Sequence, residues 1–272
     1  MQNVVLVALD SENPLQIIKS DSLETVNSQI GFAILDTKDL LADATSSAST
    51  ISTYNFVTGT SKYHNKVSRR FLFGKSSKAE DEPTLAKKIK YIIPGSRNIV
   101  LIGHDINADL RALIHIDPRY KRYETLDTQE IASQILPLIN NDKGQKYSLH
   151  RLLTHFKCPF YNLHCAGNDA NFTLRLLLLL AVSSVKDGVL SGSEQNEGSL
   201  STSRKELVKK LKEVARAPVP LPKHCPLSIH LVRKKKRDER RRLVGLEEPD
   251  WLANVYMERA ERIFEKKKRL CV

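Results

Sequence analysis

Cysteine is scarce in this chain and poorly spaced for metal. Its four residues, Cys158, Cys165, Cys225 and Cys271, contain no C-x-x-C pair, which argues against a structural zinc site. They are also too few to staple a chain of 272 residues with disulfides. The first residues lack the basic start and small-residue cleavage site of a signal peptide. The longest apolar stretch, Leu176–Val182, falls far short of the ~20 residues a membrane span needs. With secretory and membrane features missing, a reducing compartment is expected, cytoplasmic or nuclear. Internal repeats are missing too.

Acid is the minority charge, and unevenly so. The net charge is +12, but residues 1–185 carry 21 Lys/Arg against 18 Asp/Glu, and residues 186–272 carry 22 against 13. A near-neutral front is therefore followed by a basic appendage, and a basic surface attracts polyanions, chiefly nucleic acid. Apolar residues make up 41% of the chain, enough for one sizeable core.

The expected elements begin with a buried strand, Val4–Leu9, ending at Asp10, and a second strand over Gln29–Leu35. Residues 45–52 are Ser/Thr-rich and read as a loop. Tyr54–Val57 and Arg70–Phe73 read as strands around a basic connector, Lys62–Arg70. Pro83–Ile93 reads as a helix, Asn98–Gly103 as a buried strand, and Ala108–Ile114 as the helix after it. Tyr123–Leu126 is a short strand, and Asp127 with Glu130 resembles a capping box for helix Thr128–Ile135. Ser148 caps a helix whose Leu149, Leu152, Leu153 and Phe156 share one face. A last core helix covers Gly167–Val185. Strands first, then strands alternating with helices, predict an α/β fold with a mixed β-sheet flanked by helices. The expected division is a catalytic-type domain over 1–185, a flexible linker over 186–203, and a basic, mainly helical extension over 204–272. Asp105 is expected to cap the helix after Gly103.

Acidic residues gather where strand meets helix. Asp10 and Glu12 lie two apart on a strand, so they project side by side, and adjacent like charges are costly without a cation between them. Asp109 sits in a first helical turn just past a strand end. Asp169 shares a helix face with Phe172, Thr173 and Leu176, and a buried carboxylate needs a partner. Converging, these four would form an oxygen-rich site without His or Cys ligands, which selects Mg²⁺ or Mn²⁺. Two ions about 3.5–4 Å apart form the clamp used for in-line displacement at phosphate. His164 is the candidate general base, since imidazole exchanges protons near neutral pH.

At these residues the sequence resembles the DEDDh 3′→5′ exonucleases of the ribonuclease-H-like superfamily, with the likeness spanning roughly residues 3–184 and nearest a fungal branch. The pattern reads Asp10-x-Glu12, His104-Asp105-x-x-x-Asp109 and His164-x(4)-Asp169. The resemblance implies metal binding by Asp10, Glu12, Asp109 and Asp169, with His164 as the base. Two departures stand out. Asn13-Pro14 follows the first motif where the family often has Thr, and Asp105 stands where Asn is usual. The region Tyr54–Lys75 resembles an insertion.

The expected substrate is nucleic acid, best a single-stranded 3′ end, and RNA and DNA both fit. Lys62, Lys66, Arg69 and Arg70, interleaved with Tyr63 and His64, read either as a track for phosphates near the site or as a charged surface hairpin. The block Arg233–Arg242 reads as a nuclear-localisation signal or a nucleic-acid patch, and Pro249–Leu270 as a helix that docks on the core or on a protein partner. A second functional class stays open: a nuclease-fold module with an idle site that binds nucleic acid or a protein.

Overall fold

The computed structural model describes residues 3–20, 22–40, 50–93, 95, 97–136, 147–186 and 197–222. By internal contacts the chain divides into two units, Met1–Val219 and Pro220–Val272, and the described residues lie almost wholly in the first. The Ser/Thr-rich stretch 45–49, the centre of the expected linker (187–196), the basic block 233–242 and the expected helix 249–270 lie outside them.

Six strands build one mixed sheet in the order β4-β3-β2-β1-β5-β6. They are β1 (Val4–Glu12), β2 (Gln29–Asp36), β3 (Ser52–Val57), β4 (Ser77–Lys78), β5 (Asn98–Gly103) and β6 (Glu124–Asp127). Strands β1 to β3 pair antiparallel, while β5 pairs parallel to β1 and β6 parallel to β5. The helices are α1 (Pro14–Lys19), α2 (Ser61–Arg70), α3 (Glu82–Ile92), α4 (Asn107–Ile116), α5 (Thr128–Ile135), α6 (Leu149–His155), α7 (Ala166–Lys186) and α8 (Glu197–Ala215). The expected α/β sheet flanked by helices is the fold found.

The alternation of β1 assigns its side chains to two layers. Val5, Val7 and Leu9 enter a core that includes Leu113 and Ile116 of α4, and Ala8 enters another that includes Phe172, Leu176 and Leu180 of α7. Asp10 and Glu12 continue the row of Ala8, towards α7. Ser11 continues the row of Leu9, towards α4.

Gly31, opposite Asp10 in the β1–β2 register, is where α7 crosses β2. A Cβ there would come within 2.1 Å of the Ala166 carbonyl carbon and oxygen. No other residue permits this approach.

Several expectations are corrected. Lys62–Arg70 is neither a loop nor a hairpin but helix α2. Thr60 caps it by accepting a bond from the Tyr63 N–H, and Val67 is its buried anchor. A single aliphatic side chain is too little apolar periodicity to announce a helix. Arg70–Phe73 is not a strand: Arg70 ends α2 and Phe71 packs with Val67 and Cys165. The short helix α1 was unforeseen, since only Ile17 of it is buried. Residues 197–203 of the expected linker belong to α8, and Val214 and Ala215 at its end join the core on α7. Buried Arg175 of α7 secures that junction by donating to the Ala215 carbonyl at 3.4 Å and to the Ala217 carbonyl, so the compact unit extends past residue 185.

Candidate active site

The acids meet at the C-terminal end of β1. This strand outruns its parallel neighbour, because its last residue paired with β5 is Ala8, opposite Ile102. The backbone beyond Ala8 is therefore open on that side. The N–H of Ser11 finds Asp109 Oδ1 at 2.9 Å, and its hydroxyl donates to the same oxygen. Asp109 thus reaches the strand end from the α4 layer, while Asp10 and Glu12 face the α7 layer and Asp169 arrives in the first turn of α7.

Crowding shows in the electrostatics. Burial, reinforced by the charges of Asp169, Asp109 and Glu12, holds the Asp10 carboxyl well above the ordinary carboxylate range. Burial pushes Asp109 up to about 6 against the opposing Ser11 hydrogen bonds, and Asp105 and Glu12 add to the rise. Asp169, 6% exposed, is pushed up to about 7, chiefly by burial. Its Oδ2 accepts the His164 N–H at 2.7 Å, but its buried Oδ1 has no hydrogen-bond partner. A buried carboxylate oxygen without a donor is costly unless a cation completes it.

Ligand atoms of Glu12, His164 and Asp169 lie within 4.8 Å of one another. His164 Nδ1 is 3.7 Å from Glu12 Oε1, while the imidazole is 85% exposed. Among the described residues Glu12, His164 and Asp169 form this tight group, and Asp10 and Asp109 lie outside it but near enough for their charges to act on it. The oxygen-rich donor set fits a hard divalent cation.

A set of amides missed by sequence reasoning positions the first turn of α7. The Ala166 N–H donates to Gln29 Oε1 at 3.2 Å and the Gly167 N–H to Asn55 Oδ1 at 3.0 Å. The helix start is therefore capped by side chains of β2 and β3 instead of by its own preceding residues. Asn168, fully buried, accepts the Leu72 N–H and donates to the Arg70 and Asn162 carbonyls, each at 3.0 Å. Isolated polar residues in strands give no sequence signal that separates such caps from solvated side chains.

The second motif is built differently from the expectation. The helix after it has Ile106 at its cap position without a side-chain cap bond, so Asp105 does not fill that role. The Asp127 carboxylate holds this turn, accepting the N–H groups of Asp105 and Ile106 at 3.1 Å each. Asp105 is exposed with φ 61°, a left-handed backbone that Asn and Asp tolerate better than most residues. The ring nitrogens of His104 lie 3.0 Å from Thr128 Oγ1 and 2.7 Å from the Tyr147 carbonyl oxygen, and burial lowers its pKa. It ties β5 to α5 and stands apart from the acids. Cys165, beside the site, is buried with its thiol pushed up to about 12, which leaves it protonated.

An acidic cluster at the end of a central strand, shared between helices on both faces of a ribonuclease-H-like sheet, defines a nuclease-type α/β domain. A family model described as DNA polymerase III subunit epsilon-like, C-terminal domain (DEDDh_C) matches residues 50–180. Over those residues the chain is similar to the DEDDh exonuclease family. The match includes Asp109, His164 and Asp169 and starts after Asp10 and Glu12, which the sheet brings alongside. No curated protein matches the chain.

Proposed function

We propose that the protein is a metal-dependent 3′→5′ exonuclease that hydrolyses phosphodiester bonds from single-stranded 3′ ends of RNA or DNA. The observation that carries this reading is the buried, partnerless Oδ1 of Asp169 among three further carboxylates. Asp10, Glu12, Asp109 and Asp169 would hold two Mg²⁺ or Mn²⁺ ions. When bound, such ions supply Lewis acidity towards the phosphate oxygens and charge stabilisation for the displacement.

The remaining work falls to the chain. His164 accepts the proton of the attacking water as the new oxygen–phosphorus bond forms and the bond to the 3′ oxygen breaks. Glu12 Oε1 lies 3.7 Å from His164 Nδ1, with neither group fully buried. The exposure of His164 leaves room for a terminal nucleotide. The Ser11 bonds and the Gln29 and Asn55 caps keep Asp109 and Asp169 from turning away.

The test is digestion of 5′-labelled single-stranded RNA and DNA with Mg²⁺ or Mn²⁺, beside Asp169→Ala. The expected result is a ladder shortening from the 3′ end, lost in the variant and in chelator. Binding without cleavage under either metal would overturn the enzyme reading in favour of an idle nuclease-fold module.

A further inference from the structure

Helix α2 carries Lys62, Lys66, Arg69 and Arg70 and has no acidic residue. The four occur at i, i+4, i+7 and i+8, so they share one face. Lys66 has like charges three and four residues away, an arrangement that weakens a helix by about 0.2–0.5 kcal/mol per pair. The helix dipole accounts for Arg69 and Arg70 in the last turn, but Lys62 stands in the first turn, where the dipole opposes it. Among the described residues, Lys62, Lys66 and Arg69 are exposed and make no ion pair. Folding does not explain this face.

The same residues line an open groove of about 940 Å³, completed by Asn27, Thr60, Tyr63 and Asn65. Two lining residues are hydrogen-bonded to chain neighbours of the site. The Asn27 carbonyl accepts from the Asn13 side chain, next to Glu12, and Arg70 donates to the Leu163 carbonyl, next to His164. The Tyr63 hydroxyl, which accepts from Gln29 Nε2 at 3.1 Å, fixes an aromatic ring in the groove wall.

From these contacts we infer that the α2 groove is a binding site for a single-stranded polynucleotide backbone, holding the phosphates on the 5′ side of the bond to be cut. The inference rests on the exonuclease reading for the direction of the strand. From Lys62 to Arg70 the helix rises roughly 12 Å, enough to follow a short run of consecutive phosphates. Tyr63, partly buried against Val67, Phe71 and Cys165, places an aromatic side chain in the groove wall, the residue type on which single-strand sites stack bases.

The experiment uses the full chain. Anisotropy with a 5′-fluorescein 12-nucleotide strand, Ca²⁺ as the cation and stepped salt compares wild type with Lys62→Ala/Lys66→Ala/Arg69→Ala. We expect affinity at least tenfold weaker at low salt and a salt slope smaller by about 2, from ~0.7 per phosphate. The kcat/KM for the 12-mer with Mg²⁺ should fall at least tenfold more than that for a dinucleotide. A Lys62→Arg/Lys66→Arg variant should keep affinity and slope. Unchanged affinity in the triple Ala variant would overturn the site. So would blunt duplex bound as tightly and lost in parallel, or poly-glutamate competing as well as the oligonucleotide, which would assign the face to an acidic protein. Binding that depends on α2 while wild type cleaves neither substrate would support the groove and remove the exonuclease reading.

Discussion

The two charged regions of this domain obey opposite rules. The acids at the end of β1 are crowded and partly or wholly buried, and Asp109 and Asp169 are held by backbone N–H groups. The cations of α2 are mostly exposed, on flexible side chains a few residues away along the β2–β3 side. Burial makes the acids expensive and fixed, so their geometry implies a partner at a defined point. Exposure makes the cations cheap and screened, so they confer affinity and salt dependence but little geometry. On the proposed function, one region would set where chemistry happens and the other how long a strand stays nearby.

That contrast can be broken most sharply at Asp169. Asp169→Asn keeps the shape and an acceptor for the His164 N–H but removes the charge. Activity should fall about 10³-fold or more, while the melting temperature in chelator at pH 8 stays level or rises. A large loss of stability would show that the carboxylate serves the fold.

Next in size is Gln29, which links the regions by capping Ala166 and holding Tyr63. Gln29→Leu should lower kcat about tenfold or more, as expected for a residue that orients a ligand-bearing element. Stability should fall by about 1–3 kcal/mol for the buried N–H left without its acceptor. Gln29→Glu, which keeps the acceptor, should recover more of the stability than Leu allows.

A pH and cation series sharpens the comparison further. Asp109 and Asp169 titrate at about 6 and about 7 in the folded domain, above the ordinary 3.8. Between those limits the native state binds protons that the unfolded chain has released, so metal-free stability should decline as pH rises from about 4 to 7. The melting temperature in chelator should drop by several degrees between pH 5 and 8. Mn²⁺ or Mg²⁺ should restore more at pH 8 than at pH 5, because protons then no longer compete for the carboxylates. Equal cation effects at both pH values would contradict a site built on these groups. The smallest change should come from Lys62→Ala alone, about twofold to threefold in affinity for a single strand at low salt and close to nothing at high salt, read by anisotropy.

The same contrast decides what was legible in the sequence. The acids could be read because strand period and helix position are local rules. Asp10 and Glu12 are two apart on an apolar strand, and Asp169 sits on a face otherwise filled by Phe172 and Leu176. Helix α2 could not be read as a helix, since Val67 is its one buried residue and charge has no period of its own. Helix α8 was hidden in part by a start rich in Gly, Ser and Thr, and its packing on α7 is a long-range fact. Ser11, Gln29 and Asn55 were invisible for the same reason. Their bonds join residues 98, 137 and 112 positions apart in the chain. The helix dipole at Asp109 was visible, but the role of Asp127 in shaping the turn before it was not.

The crossing at Gly31 has one more consequence. Where strand backbone and helix backbone touch with no room for a Cβ between them, side-chain rotamers cannot alter the separation. The contact acts as a datum, like the machined face from which a toolmaker measures every other dimension. Asp10 lies across from that face on β1, and Asp169 lies three residues along the helix from Ala166, which rests on it. The tolerance of the acidic cluster is thereby set by backbone geometry, and substitutions elsewhere in the core can be absorbed without resetting it.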